Sequence, residues 1–168
     1  MMKPLKRAFS KNSTEDDGME DPELDMHRSI DGLGKFSVTL KIDTERDIDS
    51  NEICDLLSKM MIDVTKACFD NGADMIGHVK SCAHNGDDET KICTANLTSF
   101  KTGVRTNDMM SGTKFNGGYI MLHVIVHGLW DPQVREISLP VIDGLMSERN
   151  LEYRVLRDFF ETEKRMKN

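Results

Sequence analysis

The chain has 168 residues, of which 38% are hydrophobic, 6% aromatic and 30% charged, a length that suits one modest domain. Four prolines and twelve glycines are too few for a collagenous or fully disordered chain, and the longest apolar run, Tyr119 to Val126, is broken by His123, so no stretch reads as a membrane-spanning helix. A formal net charge of −7 argues against tight binding to duplex nucleic acid, where Lys and Arg must neutralise phosphates, although Lys3, Lys6, Arg7 and Lys11 form a local basic group.

Asn12 to Asp25 then holds seven acidic residues and no basic one, and no aromatic residue falls between Phe9 and Phe36. Residues 1–33 read as an acidic disordered lead-in. No apolar stretch of seven or more follows the basic start and no small-residue cleavage site appears, so a cytoplasmic location is expected.

A single α+β domain is expected over 34–168. Phe36, Val38, Leu40 and Ile42 alternate with polar residues from Lys35 on, the period of a half-buried strand. Asp49 with Glu52 three residues later is a helix-start signal. Ile53, Leu56, Leu57, Met60, Met61, Val64 and Cys68 then recur at helical spacing as far as about Asp70, and Asn71-Gly72 supplies the stop. Met75 to Cys82 reads as a second strand, so the domain begins strand, helix, strand, the order of a βαβ unit with room for an intervening strand.

Thr90 to Thr98 reads as a third strand after a turn carrying Asn85-Gly86, itself a hairpin signal. Phe100 to Gly118, with four glycines among polar neighbours, reads as a long mobile loop with room for a small hairpin. Tyr119 to Gly128 is a fourth strand. Two options fit the next stretch: a short helix over Pro132–Ser138, or an edge strand over Val134–Ile142 that tolerates Pro140. Ser147 is placed to cap a last helix carrying Leu151, Val155, Leu156 and Phe159 on one face, with Lys164, Arg165 and Lys167 near its end. The expected fold is a two-layer α+β sandwich: a mixed sheet of four or five strands, one face covered by the Asp49–Asp70 helix and the C-terminal helix.

Cys54, Cys68, Cys82 and Cys93 show no C-x-x-C spacing, so neither a zinc ribbon nor a disulfide framework is indicated, and buried thiols are the plain reading. Nucleophile-elbow, phosphate-loop and dinucleotide motifs are missing from the sequence; Gly112-Thr113-Lys114 lacks the strand and helix a phosphate loop needs. A thiolate role for Cys82 with His78 would need a third orienting group.

Sorting strand residues by face isolates the informative positions. If Met75, Gly77 and Val79 face the helices, then Ile76, His78, Lys80 and Cys82 face away, as do Ile92, Thr94 and Asn96, and Tyr119, Met121, His123, Ile125 and His127. Three readings fit that second face: a solvated sheet surface, a subunit interface with satisfied histidines, and a ligand groove. His78, Lys80, Asn96, His123 and His127 are its candidate binding residues, with Arg105 and Lys114 from the loop placed to close over an anion such as phosphate or carboxylate. On a strand His123 and His127 begin about 13 Å apart, so a metal would need His78 across from one of them, with Asp131 or an acid from the loop as a third ligand.

These residues lead to two expectations from different classes. The first is a non-catalytic accessory or binding protein, acting through the histidine-bearing sheet face and the loop on a protein partner, a second copy of itself or a small anionic ligand. The second is a small metal- or anion-dependent enzyme using the same histidines. No cofactor is specified by either.

Overall fold

Phe36, Val38, Leu40 and Ile42 are all buried along β1 (Leu33–Asp43), which the alternation in that stretch requires. The computed structural model describes residues 32–86, 91–109 and 112–159. The acidic lead-in as far as Asp31, the Asp87-Asp88 part of the polar turn, and Lys164, Arg165 and Lys167 lie outside the described residues.

After the two-residue strand β2 (Ile48–Asp49) the chain enters helix α1 (Ser50–Asp70). All seven residues of the expected stripe, Ile53 to Cys68, are buried. The expected cap does not form: Asp49 makes no side-chain bond to the helix and pairs with Lys114, while Glu52 takes both terminal nitrogens of Arg46 at 2.7 and 3.2 Å. A missing cap costs about 1 kcal/mol. Burying a stripe of this length contributes roughly ten times as much, so packing rather than capping holds the helix.

The remaining elements are β3 (Met75–Asn85), β4 (Lys91–Leu97), β5 (Arg105–Asp108), β6 (Lys114–Phe115), β7 (Gly118–His127), helix α2 (Asp131–Glu148) and β8 (Glu152–Asp158). The stretch expected as a mobile loop thus contains two short strands, one of which, β5, extends the sheet while β6 pairs with β2. Phe115 of β6 is fully buried, which pins this segment to the core.

α2 is one continuous helix, in place of the short helix or edge strand expected there. Pro140 lies inside it, exposed to solvent. An interior proline costs about 3 kcal/mol. Burial of Val134, Ile142, Leu145 and Met146 on the opposite side outweighs that, at about 1.5 kcal/mol or more for each side chain. Over residues 152–158 the expected last helix is also replaced, by a strand. Ser147 ends α2 instead of starting a helix, Asn150 turns the chain at φ 53°, and 152–158 pairs antiparallel with the free edge of β1. A bulge opposite Thr39/Leu40 leaves Val155 and Leu156 both exposed, which explains why apolar spacing there imitates a helix.

The main sheet has six strands in the order β5-β4-β3-β7-β1-β8, and every neighbouring pair is antiparallel. The expectation of four or five strands omitted both edges, β5 and β8. β1 and β3 run in the same direction with β7 between them, and β7 and β8 likewise flank β1. Two helical crossovers therefore interleave, with α1 lying over β3 and β4, α2 over β1, and the helices touching each other on one face.

Two bulges reset the faces of the sheet. In β3 the register shifts at Gly77, so Ile76 lies opposite core residue Val126 and Met75 opposite His127, the reverse of the expected parity. In β4 the register shifts opposite Ala83/His84, so Ile92 is buried together with Cys93 and does not join the outer face.

Cys54 of α1 and Cys93 of β4 form a disulfide with Cα atoms 5.6 Å apart, which corrects the reading of four thiols. A helical stripe and a strand core position bring the two together; nothing in their spacing announces it. Cys68 and Cys82 remain thiols, and burial pushes the Cys68 thiol up to about 11, so it stays protonated at neutral pH. The disulfide joins positions 39 residues apart, and the loop-entropy relation assigns such a closure at most about 4 kcal/mol. Replacing Cys54 and Cys93 together by Ala should lower stability by about 2–4 kcal/mol in urea denaturation, reproduced by reducing the parent. Equal urea midpoints for parent and double variant would show that the bond holds nothing.

Candidate functional site

With both helices on one side, the other side of the sheet carries no layer among the described residues. Residues opposite one another in a ladder point to the same side, so the register gives its composition directly. One row crosses five strands: Arg105, Asn96, Lys80, His123 and Ser37. On one side of it lie His78, Ile125 and Lys35. On the other lie Asn107, Thr94, Cys82, Met121, Thr39 and Arg157, then His84, Tyr119, Lys41 and Arg154.

Five of the seven sequence-derived binding residues come together here, namely His78, Lys80, Asn96, Arg105 and His123. Lys114 does not join them. It pairs with Asp49 and borders an open polar cavity of about 1140 Å³ at one end of the sheet, beside Lys41, Asn85 and Asn116. His127 lies at the opposite end, its Nδ1 2.6 Å from an Asp74 carboxylate oxygen. Among the described residues no group of three His, Cys, Asp or Glu side chains is arranged to hold a metal ion. Cys82 lies nearer His84 than the suggested partner His78, with Sγ 3.5 Å from the His84 Nε2.

Ser37, Lys35, Lys41, Arg154 and Arg157 belong to this face and escape the sequence reading. The first three were available from the alternation of β1 but had no known neighbour until β7 was paired with it. The two arginines were hidden by the helical reading of β8.

The face is cationic in an acidic protein. Lys35, Lys41, Lys80, Arg105, Arg154 and Arg157 lie on it, whereas Asp43 and Glu152, opposite each other, sit at one end and Asp74 at the other. Arg154 is 3.9 Å from Asp43 and Lys41 lies 4.6 Å from the Tyr119 ring centre; Lys35, Lys80 and Arg105 form no ion pair among the described residues.

The histidines respond to that charge. Ser37 Oγ is hydrogen-bonded to His123 Nδ1. Burial first, then the positive charges of Lys80 and Lys35, hold the His123 imidazole below its ordinary range. Burial, Lys80 and then His123 do the same to His78, whose Nε2 is shielded from water without a hydrogen-bond partner. Both rings are neutral at pH 7, so lysine and arginine supply the charge while imidazole and amide groups supply neutral hydrogen-bonding atoms.

No protein-family model, no curated protein and no solved structure matches this chain.

Because the folded-state values are depressed, the unfolded chain takes up protons at these histidines first, and stability falls as pH drops through about 6.5. NMR titration should give midpoints below 6.5 for both rings, and Lys80→Gln should raise both. Midpoints at or above 6.5 in the parent, or unmoved in the variant, would show that Lys80 does not set their protonation.

Proposed function

We propose that this protein is a binding module whose open sheet face receives an extended acidic segment of a partner protein. The observation that carries this reading is the grouping of six cations on one open face whose central rows hold no carboxylate among the described residues. Lys35, Lys80 and Arg105 form no ion pair among the described residues, and gathering such charge of one sign on one surface is unfavourable through self-repulsion. An anionic partner relieves that cost.

The shape of the face supports an extended ligand. Arg105 and Ser37 are four strand spacings apart, about 19 Å, so one small anion would reach only part of the charge. An acidic peptide fits better than nucleic acid for two reasons. At a net charge of −7 the chain lacks the excess of lysine and arginine that neutralising a run of backbone phosphates needs. Tyr119 is also the sole aromatic ring in the described rows between β5 and β1, whereas single-strand binding relies on several stacking rings.

The Ser37–His123 contact favours one second reading, the anion-dependent enzyme, in which Ser37 acts as nucleophile, His123 as its base and Lys80 as the anion anchor. Loss of turnover with retained binding in Ser37→Ala would distinguish it. Location belongs to the same proposal. No helix among the described residues is long and apolar enough to cross a membrane, and a cytoplasmic chain would keep Cys54 and Cys93 reduced, so the state of that pair in cells reports the compartment.

The test is a calorimetric titration of the full chain with an oligoglutamate peptide, repeated for Lys80→Glu with Arg105→Glu. Reversing two exposed charges should weaken binding about tenfold at low salt. Binding should also tighten as pH falls below 6.5, because a bound carboxylate favours the protonated forms of His78 and His123. Unchanged affinity in the double variant would remove the face from the binding event.

A further inference from the structure

We infer that the open face has an occupant within its own chain: the acidic segment from Glu15 to Asp25, which competes there with any external acidic partner. This inference rests on the binding-face reading above and adds regulation of that same surface.

Three observations carry it. The first is charge. The segment has seven carboxylates and no basic residue, and the face has six cations in a protein that is acidic overall. Both helices carry acids, among them Glu52, Asp55, Asp63 and Asp70 on α1 and Asp131, Glu136, Asp143 and Glu148 on α2. The helical layer therefore offers an acidic segment far less than the sheet does.

The second is the point of attachment. The described chain begins at Gly32, packed so closely on the His127 ring that a Cβ there would collide with it, and Leu33 lies opposite His127 in the ladder. The lead-in therefore joins the domain at one end of the open face, on β1 beside β7, where β8 has not yet begun to pair with β1.

The third is length. Six residues separate Asp25 from Gly32, and the seven Cα-to-Cα steps span at most about 24 Å. The His123 row lies four residues along the strand from His127, about 13 Å. Glu15 to Asp25 can extend about 35 Å beyond that, enough to run the whole face. Asp43 and Glu152 at the far end repel it and confine it to the central rows. Tethering at this distance gives an effective concentration in the millimolar range, so even a weak contact competes with a free peptide.

The test keeps the full chain and neutralises the segment: Glu15→Gln, Asp16→Asn, Asp17→Asn, Glu20→Gln, Asp21→Asn, Glu23→Gln and Asp25→Asn together. Amide and side-chain NMR signals of Ser37, Lys80, Asn96 and His123 should differ between parent and variant at low salt, with the difference collapsing near 0.5 M salt as screening sets in. The variant should also bind oligoglutamate about tenfold more tightly than the parent. Identical spectra would overturn the inference whether or not the peptide binds. Shifts that depend on protein concentration would overturn it in favour of a second copy as the occupant. Shifts at the face with no peptide binding by either protein would leave the intramolecular contact standing and defeat the external-partner reading instead.

Discussion

The hydrogen-bonded seat of β7 between β1 and β3 fixes where every polar group of the open face can be. β7 has ten residues, and both its edges are paired along almost their whole length. Its buried residues Ile120, Leu122, Val124 and Val126 can point only toward the helices, so Tyr119, Met121, His123 and Ile125 must point away. Lys80 and Ser37 are then placed on either side of His123 by ladder register alone. No loop has to close to bring these groups together.

Charge follows from the same division into layers. One face of the sheet takes two helices whose exposed sides carry many acids, and the other keeps lysines and arginines facing solvent. The net charge of the chain conceals this separation because it averages over both layers and over the N-terminal segment. The two sides of the domain therefore present charge of opposite sign. Neutral histidines are preferred in the cationic layer, which is the direction in which His78 and His123 are moved.

The strong periodicities were legible in the sequence: the alternation of β1, the stripe of α1 and the apolar side of β7 each emerge from the order of residues. So did the gathering of His78, Lys80, Asn96 and His123 on one face, since that needs only parity within each strand. What could not be read depends on long-range contacts. β8 looks helical until the free edge of β1 is there to pair with it, and Pro140 breaks a helix only where burial does not outweigh the loss. The Cys54–Cys93 pair requires knowing that α1 lies over β4. His127 was grouped with the others by strand parity and Lys114 by its place in the loop, whereas Asp74 and Asp49 already engage them.

Gly77 makes β3 two half-strands of opposite phase. Upstream of it Ile76 serves the core; downstream Val79, Ser81 and Ala83 do. The extra residue works as a phase shifter, and removing it while the upstream half stayed in place would turn His78, Lys80, Cys82 and His84 inward and Val79 outward. A Cβ at this position would press on Ile125, with Cγ2 3.0 Å away, so the residue that tolerates the shift is also the one small enough to sit beside it. The polar character of the whole outer layer of β3 is thus held in register by a residue that contributes no side chain to it.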